Sequence, residues 1–397
     1  MAKVLFLAHR YPYPPNKGDK IRAFHIAEHL RRSHEVSLGF VATPGDSEPD
    51  LAWADKNFNA YYCGRISRID RLLRAGVGFA IGAPLSVATF RHGGLMSWVA
   101  RQIREKRPEF IYVFSSAMAQ YVPRELPPGT RVILDFVDVD SEKWRQYAET
   151  QPMARRWFYG TEAKRLLAFD RAEAARAQAS LFVSEDEKRI FDRLSPETAG
   201  KHRAIGNGVD VAYFDPAAVP PTVQKGNSIV FVGMMDYWPN IDAVTWFAKD
   251  ILPLIQAKHA DVTFQIVGAR PVAAVTALAE HKGVEVTGAV PDVRPFVAAA
   301  SVVVAPLRIA RGIQNKVLEG MAMARPIVTT PGALEGINAQ RGRDLLVGET
   351  PAEIAEAVSK ILEGRAPAAL GAAARAFVVA HHEWAANLRK LDDLMRG

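Results

Sequence analysis

Ala305-Pro306-Leu307-Arg308-Ile309-Ala310-Arg311-Gly312-Ile313-Gln314-Asn315-Lys316-Val317-Leu318-Glu319-Gly320-Met321-Ala322-Met323-Ala324-Arg325-Pro326-Ile327-Val328 reads as a strand ending at Pro306, a glycine-containing loop, a helix from about Asn315 and a second strand from Pro326, one step of an α/β repeat. The free N–H groups at a helix start favour an anion. Gly312 lets the backbone approach a ligand closely. Lys316 falls in the first helical turn, where a cation is unfavourable unless an anion is bound. Glu319 lies three residues on and shares its face. A carboxylate there suits both hydroxyls of a ribose, while Lys316 and the amides suit a diphosphate. A plain i,i+3 ion pair is the competing reading of the same spacing.

Outward from this stretch the alternation continues. Strand-like runs at 228–232, 262–267, 284–287, 302–305 and 326–329 are separated by helical stretches at 241–256, 272–281, 293–299 and 315–323. Before the Pro-rich segment 215–221 a first series runs. Its strands read 4–8, 35–42, 110–114, 131–136 and 179–183, with a clear helix at 153–177. The continuous apolar run 4–8 is the sign of a strand buried on both faces. Helix 21–32 presents Ile21, Phe24, Ala27 and Leu30 as its core stripe. The expectation is two α/β domains with parallel sheets, 1–206 and 207–375, and a terminal helix, 376–397, crossing back to the first.

Composition narrows the class. The chain has 397 residues, more than one core usually spans. A single cysteine, Cys63, excludes disulfides within the chain and multi-cysteine zinc sites, and fits a reducing compartment. The apolar run at 1–9 is too short for a secretory signal, and no run of about 18 apolar residues occurs, so a cytoplasmic protein is expected. The net charge of +7 is uneven: residues 1–210 hold 32 basic and 25 acidic residues, and 211–397 hold 18 of each. Nine basic and two acidic residues fall within 65–107. That segment reads either as a peripheral contact with anionic membrane or as an amphipathic core helix with a solvated basic face. No nucleic-acid partner is expected.

Several chemistries are missing. There is no G-x-S-x-G, no Walker loop and no G-x-G-x-x-G after the first strand, and Cys63 has no activating base nearby in sequence. His25-Ile26-Ala27-Glu28-His29 matches H-x-x-E-H, but His25 and Glu28 lie off the core stripe, and the match reads as chance on a crossover helix. No metal and no cofactor are expected.

Four motifs in order carry a family resemblance. They are Asn207-Gly208-Val209-Asp210; Phe231-Val232-Gly233-Met234-Met235-Asp236-Tyr237-Trp238-Pro239-Asn240; Val267-Gly268-Ala269 with Thr287-Gly288-Ala289-Val290-Pro291-Asp292-Val293; and the 305–328 stretch. Over nearly its whole length the chain resembles the GT-B glycosyltransferases of family 4. Within them it is most similar to the sugar transferases of exosortase-linked (PEP-CTERM) exopolysaccharide loci, on the run Asp135-Phe136-Val137-Asp138-Val139-Asp140-Ser141-Glu142-Lys143-Trp144. The resemblance implies two doubly wound Rossmann-like domains facing each other across a cleft. It implies a retaining transfer from a nucleotide-sugar, UDP-sugar favoured, to a glycan or lipid-linked acceptor in exopolysaccharide biosynthesis. The donor residues it implies are Gly18, Gly233, Asn240, Val290, Asp292, Val293, Arg311, Gly312, Ile313, Gln314, Asn315, Lys316 and Glu319. Lys316 would also stabilise the leaving group, and Asp138 or Asp140 would orient the acceptor hydroxyl.

Three departures from the family pattern stand out. Arg311 occupies the position of a glutamate that contacts the donor sugar. Met234 and Met235 stand near where the pattern often carries an arginine and a lysine. No histidine lies between Gly129 and Thr150. A nucleotide-sugar epimerase of the same fold and a non-catalytic sugar-nucleotide or glycan-binding subunit are the alternative readings, the second motivated by Arg311.

Overall fold

The structure is a computed structural model describing residues 1–15, 18–43, 49–149, 151–219, 227–310 and 312–396. The chain forms two compact units, Met1–Ile205 with Leu388–Gly397, and Gly206–Asn387. Each is a Rossmann-like α/β domain built on one parallel sheet.

The first sheet comprises β1 (Lys3–Ala8), β2 (Glu35–Ala42), β3 (Ala60–Arg65), β4 (Phe110–Phe114), β5 (Arg131–Val137), β6 (Ala179–Phe182) and β7 (His202–Ala204), in the order β3-β2-β1-β4-β5-β6-β7. Val4, Leu5, Phe6, Leu7 and Ala8 are all buried, as a strand covered by helices on both faces must be. The second sheet comprises β8 (Ser228–Val232), β9 (Thr263–Val267), β10 (Val284–Gly288), β11 (Val302–Ala305), β12 (Ile327–Thr329) and β13 (Leu346–Val347), in the order β10-β9-β8-β11-β12-β13. Both orders reverse once, between β1 and β4 and between β8 and β11. In an open α/β sheet the crevice beyond the strand C-termini at such a reversal is where ligands bind.

Two expectations need correction, and three edge strands, β3, β7 and β13, were not expected from the apolar runs. On the first helix, Gly18–Ser33, the buried face is Arg22, Ala23, Ile26, Ala27 and Leu30, whereas Ile21 and Phe24 are only half-buried. The apolar periodicity misplaced the stripe by about one position, because a buried ion pair brings Arg22 inside. Glu28 pairs with Arg31, and His29 Nε2 is hydrogen-bonded to Asp392, so each is engaged with a partner other than the other. The terminal segment is two helices, Leu370–His381 and Trp384–Arg396. The break follows from the Asn207-Gly208-Val209 motif: Val209 N–H donates to the His382 carbonyl, and a Cβ on Gly208 would lie 2.7 Å from the Trp384 nitrogen. Residues from Leu388 on belong to the first unit, where Arg131 donates to the Met395 carbonyl. Among the described residues no helix is long and apolar enough to cross a membrane.

Candidate active site

In the second unit both strands of the reversal end in candidate residues. After β8 the chain turns through Gly233, whose N–H donates to the Val267 carbonyl at 3.0 Å. Gly268 sits against it so closely that a Cβ there would lie 1.7 Å from the Gly233 carbonyl oxygen. Asn240 lies in the first turn of the helix Trp238–Trp246 and is buried. Its amide donates to the Met234 carbonyl at 2.8 Å, pinning the turn after β8.

After β11 the loop is held by Thr330, which donates to the Leu307 carbonyl at 2.6 Å, and by Thr329, which donates to Ala305. Arg308 is committed to Asp242 through both arms of its guanidinium. Arg311 lies outside the described residues. Gly312 adopts φ 63°, a left-handed conformation suited to glycine, and Ile313 packs on the core. The helix Asn315–Ala322 follows, with no side-chain cap at Gln314. Its first-turn amides therefore lack the usual side-chain partner.

Lys316 Nζ donates to Asn240 Oδ1 at 2.6 Å and lies 4.8 Å from the centre of the Phe231 ring. Both partners are neutral. Burial therefore lowers its pKa to about 8, against the opposing pull of Glu319. Burial likewise raises Glu319 to about 7, against the pull of Lys316. Both side chains are still partly open to solvent. No ion pair joins them, and among the described residues the Glu319 carboxylate has no hydrogen-bond partner. The Asn315 amide oxygen is buried and likewise unpartnered. The plain ion-pair reading of this spacing therefore does not describe the geometry. A cation with neutral partners, a carboxylate with none and an uncapped helix start converge at one reversal point. Such a set is chemically suited to an anion flanked by hydroxyls.

The loop after β10 carries Val290 and Val293, both packed on the core. Asp292 is not open. It is bonded to the Arg294 guanidinium through both oxygens, and Arg294 also stacks 3.8 Å above the Tyr213 ring. Those bonds hold the Asp292 pKa below the usual carboxylate range, and Asp292 serves to shape the loop.

In the first unit Asp138 and Asp140 follow β5. Lys143 bridges them, at 2.7 Å from Asp138 and 3.0 Å from Asp140. Burial works against the lysine charge, but the two carboxylates outweigh it and raise its pKa. The loop leaves β5 through a register shift and through Val137 at φ 69°, a strained conformation for a β-branched residue. Two buried carboxylates sustain that strain. Asp135 accepts from the Val137 N–H, and Glu187 accepts from the Val139 N–H at 2.6 Å. Asp135 is itself fixed by a fully buried pair with Arg22 at 2.9 Å and by the Tyr112 hydroxyl at 2.6 Å. Gly18 is exposed at the start of the first helix, with open space where a Cβ would stand.

Sequence reasoning did not single out the supports: Arg22, Asp135, Tyr112 and Glu187. It also passed over His9, at the end of β1, whose ring stacks on Phe114 at the end of β4. That pair stands at the reversal point of the first sheet. The signal available in sequence was positional, a histidine closing the first strand.

Comparison with known proteins gives a family match within the second unit. Residues 226–364 match the family model of glycosyl transferases group 1. The group 1 match spans β8 through the end of the helix Pro351–Leu362, and so contains both strand ends described above. No curated protein matches the sequence. Among solved structures the chain is similar to Anabaena Alr3699/HepE in complex with UDP and glucose, with TM-score 0.68 and 14% identity over 100% of both chains. It is similar to WaaG, a glycosyltransferase involved in lipopolysaccharide biosynthesis, with TM-score 0.69 and 15% identity over 99% of this chain and 100% of that one. It is also similar to the sucrose-phosphate synthase of Thermosynechococcus elongatus, with TM-score 0.69 and 15% identity over 100% and 98%. The fold is thus that of the GT-B glycosyltransferase structures.

Proposed function

We propose that the protein is a glycosyltransferase that moves a sugar from a nucleotide-sugar donor, a UDP-sugar in the first instance, to a glycan or lipid-linked acceptor. The observation that carries the reading is the Glu319 carboxylate, without a hydrogen-bond partner among the described residues, one helical turn from Lys316, whose hydrogen bond goes to the neutral Asn240 amide. Two structural neighbours support the donor class: HepE is in complex with UDP and glucose, and S. aureus TarM with UDP.

In this reading Glu319 accepts from both ribose hydroxyls. The Gly312–Lys316 loop and the first amides of its helix hold the diphosphate. Lys316 and those amides then stabilise the charge that develops on the leaving phosphate, as preorganised donors do. The base lies along Val290 and Val293. Asp138 or Asp140 orients the acceptor hydroxyl, and the departing phosphate oxygen takes its proton, giving retention at the anomeric carbon. Exopolysaccharide assembly is the proposed setting, on the family resemblance.

The test is turnover. Purified protein is incubated with a panel of UDP-, GDP- and ADP-sugars and lipid-linked acceptor analogues, and released nucleotide and glycosylated product are followed together. Equal release of nucleotide and glycosylated product with one donor confirms transfer. Conversion of the donor to a sugar-nucleotide isomer without acceptor, or nucleotide binding with no turnover on any acceptor, overturns it.

A further inference from the structure

The helix Arg68–Ala80 is amphipathic with its apolar face outward. Ile69, Leu72, Leu73, Val77 and Ile81 are between 62% and 74% exposed. At spacings of three, four, eight and twelve from Ile69 they form one stripe. A soluble globular domain ordinarily turns such a stripe to its core. Here the inward face is settled by other contacts. Gly78 is buried so tightly that a Cβ would lie 2.5 Å from the Ala88 Cβ. Arg74 donates to the Arg91 carbonyl. Burial of the stripe, the alternative raised from sequence, is therefore excluded.

The patch continues onto the start of the helix Met153–Arg176. Phe79 meets Trp157 edge-on at 6.0 Å and stacks on Phe158 at 6.4 Å. Trp157 is 63% and Met153 87% exposed. The two helices are tied together rather than loosely apposed. Arg165 donates to the Phe79 carbonyl at 3.1 Å, and Glu162 accepts from the Leu85 and Ser86 N–H groups at 2.8 Å. Arg68, Arg71, Arg155 and Arg156 are exposed on the same two helices. The one acid of the first helix, Asp70, is consumed in a capping box with Ser67.

We propose that this face docks on anionic lipid, with the aliphatic stripe and Trp157 entering the acyl boundary and the arginines on the headgroup phosphates. The chemistry favours lipid over a second copy of the chain. A two-fold self-contact would bring one arginine set toward its own image, whereas anionic headgroups complement it. A flat apolar stripe with an indole beside it and cations on its flanks is the pattern of an interfacial helix. The proposal goes beyond the transferase reading and is tested without donor or acceptor, so the two fail separately.

The experiment is cosedimentation with vesicles of phosphatidylcholine alone and of phosphatidylcholine with phosphatidylglycerol, at low and high salt. Three proteins are compared: wild type, Leu72→Ser with Leu73→Ser and Val77→Ser, and Arg68→Gln with Arg71→Gln. All five sites are exposed, and circular dichroism checks the fold. Wild type is expected to bind the anionic vesicles and to be weakened by salt. The serine variant is expected to lose at least about tenfold in partitioning, and the glutamine variant to lose the preference for anionic lipid. No binding by wild type, or equal binding by the serine variant, overturns the proposal. So does a wild-type dimer in sedimentation velocity that the serine variant makes monomeric without vesicle binding, which would assign the face to a second copy.

Discussion

Lys316 Nζ and the Asn240 amide oxygen, 2.6 Å apart, link the chain after β11 to the chain after β8 across the reversal of the second sheet. The turn after β8 holds methionines where the family pattern often holds cations. This bond brings a cation to the same place from the neighbouring strand. Because the bond is to a neutral amide, the charge stays available for an anion.

If so, Lys316→Ala lowers affinity for UDP by about ten- to a hundredfold, the loss of a charge-assisted bond of about 1.5–3 kcal/mol. Affinity for uridine is expected to change little. Asn240→Ala, which removes the anchor but keeps the charge, has the smaller effect on UDP. Calorimetric titration of both ligands measures this. An equal loss for UDP and uridine would show that Lys316 is structural.

Glu319→Gln is expected to weaken UDP binding by a similar factor while leaving the free protein at least as stable as wild type. Among the described residues the carboxylate has no hydrogen-bond partner to lose, and its raised pKa means that burial opposes its charge. Thermal melting with and without UDP separates the two effects. A variant that melts lower and binds normally would refute the ribose assignment.

The pair also sets a pH dependence. Glu319 is raised from 4.5 to about 7, and Lys316 is lowered from 10.5 to about 8. Between 4.5 and about 7 the folded chain holds the extra proton on Glu319, so this group's contribution to stability falls as pH rises. Between about 8 and 10.5 the unfolded chain holds the extra proton on Lys316, so that contribution rises with pH. The free protein is therefore least favoured by this pair between about 7 and about 8, where both groups are charged as the nucleotide requires. UDP affinity should peak in that window, and Glu319→Gln should abolish the acidic limb. A flat profile for wild type would refute this.

Asp138→Asn and Asp140→Asn should lower turnover, for at least one of the two, with donor affinity unchanged. Lys143→Met removes the cation that bridges both carboxylates and should lower turnover as well. Full activity in both asparagine variants would mean that the acceptor group lies elsewhere, with His9 the next candidate.

Arg22→Met leaves the fully buried Asp135 without its counter-charge and should cost about 3–5 kcal/mol, as breaking one partner of a buried pair does. Chemical denaturation followed by a probe in the first unit measures it. The same variant should lower turnover beyond its effect on folding, since Asp135 holds the strained Val137 that leads into Asp138.

The alternation of apolar runs and helical stretches was enough to read ten of the thirteen strands, because a strand buried on both faces writes itself as a continuous hydrophobic run; β3, β7 and β13, all at sheet edges, were not read. The candidate residues after β11 were legible from the helix start near Asn315, and those after β8 from the family resemblance; that both follow strands at a reversal is seen only in the sheet order. What escaped was whatever depended on partners distant in sequence. Arg22 and Asp135 are 113 residues apart, and nothing local to either marks the pair. The outward stripe of the Arg68–Ala80 helix was visible as a pattern, but periodicity says only that a face exists, not which way it looks. Asp292 illustrates the converse, a residue of the right type in the right motif already occupied by Arg294 two positions on.

Gly268 has a further bearing on how such chains diverge. Any side chain there would run into the carbonyl of Gly233, and one on Gly233 would run into the Asn240 side chain, so both glycines are held in place by the scaffold itself, whatever ligand is bound. The glycine signature and the cations usually found beside it are therefore under separate constraints. Met234, half-buried beside this crossing, is under no such limit, so the charge at that position can change without disturbing the pattern by which the scaffold is recognised. The glycines date the architecture; the donor has to be read from the residues that are free to change.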